Sequence, residues 1–144
     1  MNIKYATNED IAEIAAVEAE CFPPAEAATE KDFVERVKYY GNHFWLMYEA
    51  EKLIAFVDGF VTDESDLTDE MYKNAAMHDE NGAWQMIFGV NTLPDYRKHG
   101  YAGKLICRAI DEARQQGRKG LVLYQINPCT EMSYGIRCGW LFDR

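Results

Sequence analysis

Paired cysteines are missing from this chain. Its four, Cys21, Cys107, Cys129 and Cys138, are scattered over 144 residues with no short paired spacing. That excludes the disulfide framework that staples small secreted domains. Histidine is scarcer still, and His43, His78 and His99 stand apart from the cysteines along the chain. The closely spaced ligand pairs of a structural zinc site are absent, so no metal is expected. No stretch approaches the ~18 uninterrupted apolar residues of a membrane span. The first twenty residues carry one base, Lys4, among several acids, with no apolar run of signal-peptide length. Bases are few overall: 15 Lys and Arg face 24 Asp and Glu, for a net charge of −9. Duplex binding needs cationic contacts to phosphates, so nucleic acid is excluded as the main partner. What remains is a cytoplasmic chain with reduced thiols and no membrane association. Its 144 residues are expected to form one domain, large enough to bury a core unaided.

The charge that is present is unevenly placed. Residues 1–96 hold 6 bases and 20 acids, whereas residues 97–119 hold 7 bases and 2 acids. An acidic molecule with one basic segment needs an explanation.

Residues 2–6 read as a first strand. Thr7 and Asp10 form a capping-box pattern before a helix whose apolar face is Ile11, Ile14, Ala15 and Val17, ending near Cys21 at Pro23-Pro24. Thr29 caps a second helix, with Phe33, Val34 and Val37 on one side, that ends before Gly41. Residues 43–49 and 53–61 read as a hairpin, and residues 62–82 as an acidic loop with one helical turn. Residues 83–93 give a fourth strand. Leu105, Ile106, Ala109, Ile110 and Ala113 give an amphipathic third helix, stopped at Gly117, and residues 121–126 a fifth strand. The fold class is therefore α+β: an antiparallel N-terminal sheet, then a right-handed parallel crossover from the fourth strand through the third helix to the fifth.

The turn into that third helix combines glycine, positive charge and a helix N-terminus. Gly100 and Gly103 let backbone approach a ligand, and the unpaired N–H groups of a first helical turn favour an anion. Arg97, Lys98 and Lys104 add full charges, with His99, Tyr101 and Ala102 between them. A pyrophosphate is the natural occupant. The spacing is not that of a P-loop, because two residues separate Gly100 from Gly103 and Leu105 follows Lys104. Nor is a G-x-G-x-x-G present.

Arg97-x-x-Gly100-x-Ala102 resembles the acyl-CoA pyrophosphate loop of the GNAT superfamily of N-acetyltransferases. The order of strand, loop and helix around it is also similar. Phe22-Pro23-Pro24-Ala25-Glu26, the acidic insertion with Leu67, Glu70 and Met71, and residues 117–121 resemble the arylalkylamine branch and its bacterial relatives. The resemblance implies the GNAT fold and transfer of an acetyl group from acetyl-CoA to a small primary amine. It implies cofactor contacts at Thr92, Leu93 and residues 97–104, with backbone of Thr92 and Leu93 holding the pantetheine. It further implies an acceptor pocket walled by Phe22, Pro23, Pro24 and Glu26, and Tyr134 as the acid that protonates the departing thiolate.

The pattern departs from the family in two places. Alignment from Pro94 and Arg97 puts Met86 and Phe88 where that branch has a histidine pair, and neither accepts a proton. Gln85, Asn91, Glu26, Asp58, the loop acids and a water chain stay open as the base. Near the C-terminus, Asn127, Tyr134 and Gly139-Trp140 nearly fit the family's pattern, with one extra residue between Tyr134 and Gly139. Four further residues cannot build the family's last hairpin, so a shortened fold is expected, with a free edge on the fifth strand where a second copy would pair as a homodimer. A CoA-binding protein without turnover is the alternative function. Cys107 is read as core, and the acids of residues 63–80 as a solvated loop or a lure for a cationic amine.

Overall fold

A computed structural model describes residues 1–123 and the backbone of Cys138–Leu141. Tyr134, Asn127 and Cys129 lie outside the described residues. The N-terminal elements follow the sequence closely. In the Thr7 box, Asp10 Oδ2 accepts from Thr7 N–H at 2.9 Å and starts the turn leading into α1 (Ile11–Cys21). Pro23 ends α1 because the residue before a proline is pushed out of the helical region; Phe22 is extended, at φ −132° and ψ 149°. Thr29 and Asp32 cap α2 (Glu30–Tyr40) reciprocally: Thr29 Oγ1 accepts from Asp32 N–H at 3.3 Å and Asp32 Oδ2 accepts from Thr29 N–H at 2.9 Å.

Strands β1 (Asn2–Tyr5), β2 (Phe44–Glu49) and β3 (Lys52–Asp58) form an antiparallel meander. Both long strands expected next are broken. After β3 the chain bends at Gly59-Phe60 and resumes as β4 (Val61–Thr62); its partner breaks at Phe88 into β5 (Trp84–Ile87) and β6 (Gly89–Thr92). The cause is a close approach. A Cβ on Gly59 would lie 1.8 Å from the Met86 carbonyl oxygen, so only glycine fits there. The Gln85 side-chain amide donates to the carbonyls of Gly59, Phe60 and Met86 at 2.7, 3.3 and 2.8 Å. Buried carbonyls released by the bend are thereby satisfied.

With β7 (Gly120–Leu123) and β8 (Cys138–Leu141), the described residues form two sheets, in the orders β1-β2-β3-β6 and β4-β5-β7-β8. The crossover from β5 runs through α4 (Tyr101–Gln115) to β7 (Gly120–Leu123), which pairs parallel with β5 from Trp84↔Gly120 to Ile87↔Leu123. Beyond Ile87 the strand turns away: β6 pairs with β3. The two sheets part there like a V.

Successive strand residues point to opposite faces. Phe44 meets Phe33 of α2 edge-on at 6.0 Å, while Trp45 donates to Glu112 of α4 at 3.1 Å. Helices α1 and α2 therefore cover one face and α4 the other, where Ala102, Leu105, Ile106, Ala109 and Ala113 are buried. A short α3 (Asp69–Lys73) sits in the acidic segment. Among the described residues no helix is long and apolar enough to cross a membrane.

Two expectations need correction. The fifth strand does not have the expected free edge, since β8 (Cys138–Leu141) pairs antiparallel along it. Cys107 is exposed rather than core, because its position falls beside the buried stripe of α4.

Gly59→Ala is expected to lower stability in urea by at least about 2 kcal/mol, since backbone must move to admit the methyl group. Gly103→Ala meets nothing within 4 Å and stands in the first turn of α4. It is expected to leave stability unchanged or raise it by up to ~1 kcal/mol. Equal midpoints for the two variants would remove the close approach as the cause of the break.

Candidate active site

The loop after β6 is shaped by two left-handed residues, Lys98 at φ 67° and Gly100 at φ 81°. Gly100 is the N-cap of α4, and the first helical bond runs from Lys104 N–H to Gly100 C=O at 3.1 Å. The N–H groups of Tyr101, Ala102 and Gly103 precede that bond and have no acceptor within the helix. A Cβ on Gly100 or Gly103 would meet nothing within 4 Å, so the space before the helix is open. Lys98, His99 and Lys104 are exposed around it. The Tyr101 ring lies 5.6 Å from that of His99, tilted by 32°, and the Lys104 ammonium lies 5.8 Å from its centroid. Open N–H donors, a helix dipole and two lysines fit the diphosphate of a nucleotide-bearing thioester.

Arg97 reaches back to the strand that precedes it. Its Nε donates to Thr92 C=O at 3.0 Å, and a terminal nitrogen lies 3.8 Å from Cys21 Sγ. It braces the end of β6. Leu93 N–H bonds to Ile54 C=O at 2.9 Å. Bonded and non-bonded pairs alternate along an antiparallel ladder, so the backbone groups of Thr92 face away from β3, toward the parted edge.

On the other face, a cavity of about 700 Å³ opens between the α1–α2 loop, α2, α3 and the break at Phe88-Gly89. Of the four residues expected to wall an acceptor, Phe22, Pro23 and Glu26 line it; Pro24 is exposed and does not. Glu18 shapes the cavity from α1: its carboxylate accepts from Asn91 Nδ2 at 2.7 Å and from Ala28 N–H at 3.0 Å, tying the loop to β6. Asn91 and Gln85 thus act as hydrogen-bond donors, and neither is a base. Phe88 lines the cavity and Met86 is wholly buried.

Beneath Gly89 lies a carboxylate that spacing alone did not single out. Asp58, the register partner of Gly89, is fully buried. Its Oδ2 meets Arg36 Nη1 at 3.2 Å and the Tyr40 hydroxyl at 3.5 Å, whereas Oδ1 has no hydrogen-bond partner. Arg36 is held in turn by Tyr72 C=O at 3.3 Å. Burial pushes the Asp58 carboxyl up to about 6; Arg36 pulls it down and Glu18 pushes it further up.

A second cluster was missed because its members are distant in sequence. Glu80 accepts from His43 Nε2 at 3.0 Å, His78 Nε2 at 2.8 Å and Arg118 at 3.2 Å. Two imidazoles and a carboxylate within 4.8 Å look like a metal donor set. His78 Nδ1, however, accepts from Val61 N–H at 3.0 Å, so a neutral His78 carries its proton on Nε2 and donates it to Glu80. Arg118 also donates to the carbonyls of Glu80 and Gly82, at 3.0 and 2.6 Å. Partial burial works against charge on Glu80, yet His78, His43 and Asn42 hold its pKa below the usual carboxylate value. The cluster is a clamp that ties the acidic segment to β2 and to the turn after α4.

The acetyltransferase (GNAT) family pattern matches residues 9–131. The chain belongs to that family. No curated protein matches it by sequence. Among solved structures, it superposes on the loading GNATL domain of CurA from Lyngbya majuscula with a TM-score of 0.78 at 17% identity, over 87% of this chain and 64% of that one. The GphF GNAT-like decarboxylase in complex with isobutyryl-CoA gives 0.77 at 21% identity, over 85% and 65%. A GNAT family acetyltransferase from Brucella melitensis in complex with acetyl-CoA gives 0.58 at 18% identity, over 86% and 75%. The chain thus spans just under two thirds of the first two, and at these identities the likeness is one of fold.

Asp58 makes stability depend on pH in a definite direction. Its folded pKa is raised from the ordinary 3.8 to about 6. The native state therefore holds the proton more tightly than the unfolded chain, and stability falls as pH rises from about 4 to about 6. Asp58→Asn lacks this slope. Relative to the wild type, the variant should gain on the order of 2 kcal/mol between pH 4 and pH 7 in urea unfolding. A pH-independent difference would mean that the carboxyl titrates normally.

Proposed function

We propose that this protein transfers an acetyl group from acetyl-CoA to a small primary amine of the arylalkylamine or polyamine kind. The observation that carries this reading is the open anion cradle at the start of α4, at the end of the loop that follows β6. The cosubstrate supplies an acetyl group already activated as a thioester. The first-turn N–H groups of α4, with Lys98 and Lys104, hold its diphosphate, and the parted edge of β6 at Thr92 offers backbone N–H to the pantetheine arm. The cavity under the α1–α2 loop receives the acceptor. Phe22, Pro23 and Phe88 give it apolar walls, while Glu18, Glu26 and Asp32 outnumber Arg36 and Lys73 there, which favours a cation with an apolar body. The excess acid of residues 1–96 draws such a molecule in. The cavity's position at the break in the sheet brings acceptor and thioester together from opposite faces.

Binding should be governed by the nucleotide diphosphate. By calorimetry, acetyl-CoA is expected to bind at least ten times more tightly than acetyl-pantetheine, and the double variant Lys98→Glu/Lys104→Glu should erase most of that difference. Affinity should also fall as salt rises. Equal binding of the two thioesters would sink the cradle assignment. A second reading, acyl-CoA binding without transfer to an amine, draws on the likeness to the GphF decarboxylase and on Met86 and Phe88 as non-basic residues. Thiol release measured with tryptamine, phenethylamine, cadaverine and spermidine separates the two. Release that depends on an amine supports transfer; acetyl-CoA binding without it supports the second reading.

A further inference from the structure

We propose that Glu18 is a positioning residue for the acceptor: its carboxylate fastens the loop that walls the amine cavity to β6, and so sets where the amine stands against the thioester. The inference rests on reading the cavity of about 700 Å³ as the amine site.

The loop between α1 and α2 supplies Phe22, Pro23, Glu26, Ala27 and Ala28 to the cavity wall. Inside it, the N–H groups of Glu26 and Ala27 both turn back on the Pro23 carbonyl, at 2.9 and 3.0 Å. Among the described residues, the two hydrogen bonds that leave residues 22–28 both end on Glu18. Phe22 N–H donates to the Glu18 carbonyl at 3.0 Å, and Ala28 N–H donates to its carboxylate Oε2 at 3.0 Å. One residue of α1 therefore holds this stretch of wall at both ends.

The remaining carboxylate oxygen fixes that hold to the sheet. Glu18 Oε1 accepts from Asn91 Nδ2 at 2.7 Å. Asn91 and Gly89 stand two apart in β6 and share the face turned toward α1 and α2, and Gly89 lines the cavity. Glu18 is 7% exposed, and each of its oxygens has one neutral donor, so removing either donor leaves a buried acceptor short. The tether needs donor and acceptor in the right order rather than a charge that is free to meet a ligand.

The strand edge offered to the cosubstrate has a separate brace. The Thr92 carbonyl accepts from Arg97 Nε at 3.0 Å and from Cys21 Sγ at 3.5 Å, and neither bond involves Glu18. Breaking the tether therefore displaces the acceptor wall and leaves acetyl-CoA its own contacts. A small misplacement of one bound reactant lowers the rate steeply.

The test is acetyl-CoA-dependent thiol release with the same four amines, read as KM for the amine and kcat separately, with calorimetry of acetyl-CoA binding alongside. Asn91→Asp sets a second carboxylate against Glu18. KM for the amine is expected to rise at least tenfold, while the affinity for acetyl-CoA changes less than threefold. Adding Glu18→Gln to that variant exchanges donor and acceptor: the new amide nitrogen donates across the gap, and its oxygen still accepts from Ala28 N–H. The double variant should return to within threefold of the wild type in both KM and kcat, a rescue that a proton-accepting role for Glu18 does not allow. Asn91→Ala adds no charge and should raise KM at least threefold, which keeps the proposal falsifiable if Asn91→Asp does not fold. A smaller rise in either folded single variant, or a double variant left outside threefold, overturns the tether while the amine reading stands. If the wild type binds acetyl-CoA but releases no thiol with any amine, both fall together.

Discussion

The bend that splits one hairpin into β3-β4 and β5-β6 controls nearly every functional feature of this molecule. It is held by three carbonyls that converge on the Gln85 side-chain amide and by a contact at Gly59 too close for any other residue. A continuous fourth strand would stay paired with β7 along its whole length and leave no exposed edge. Because it turns at Phe88, β6 presents that edge to the space between the sheets, and the loop after it swings the N-terminus of α4 toward the same space. The same bend puts Asp58 and Gly89 where the cavity ends. One local backbone problem, solved by one buried amide, makes the parting of the sheets and the edge of the cavity.

Charge is organised around this cleft in a finer way than its division along the chain indicates. The basic segment 97–119 divides into structural and exposed cations. Arg97 braces the end of β6, and Arg118 is spent on Glu80 and the carbonyls of Glu80 and Gly82. Lys98 and Lys104 stay exposed at the helix start. The acidic segment is likewise mixed. Glu80 is a clamp, Asp63 accepts from Ala83 N–H at 3.1 Å, and Glu18 pins a loop to a strand. Total charge overstates what is free to attract a ligand, since buried or multiply bonded groups hold their own scaffold first.

How far the sequence reveals this depends on the range of the interaction. The two capping boxes span four residues each, and four of the five buried positions of α4 follow from its helical spacing; both are legible because cause and effect are neighbours. The start of α4 is legible for the same reason, since Gly100 caps it and Lys104 stands in its first turn. The strand breaks are not. Residues 53–61 and 83–93 are apolar enough to read as unbroken strands, and the break arises from Gly59 meeting Met86, 27 positions away. The Glu80 clamp joins residues 43, 78 and 118, and Asp58 gains its character from Arg36, Tyr40 and Gly89. None of these pairings leaves a periodic signal. For Arg97 the motif gives a position, and only the fold shows that its Nε bonds back to the Thr92 carbonyl.

Asp58 also bears on why such a site is built at the edge of what the fold tolerates. Replacing a buried ion pair by apolar groups of similar volume is often neutral or stabilising. The pair of Arg36 and Asp58 is buried on a face otherwise filled by Phe33, Phe44 and Phe56, where an all-apolar solution was available. The chain instead holds a carboxylate whose burial raises its pKa, next to a glycine that forgoes side-chain packing in the strand. Each choice weakens the fold at neutral pH, and they meet where Asp58 lies behind Gly89, the residue that lines the cavity. The two are coupled, since a side chain on Gly89 would press on the buried carboxylate that Arg36 and Tyr40 hold in place.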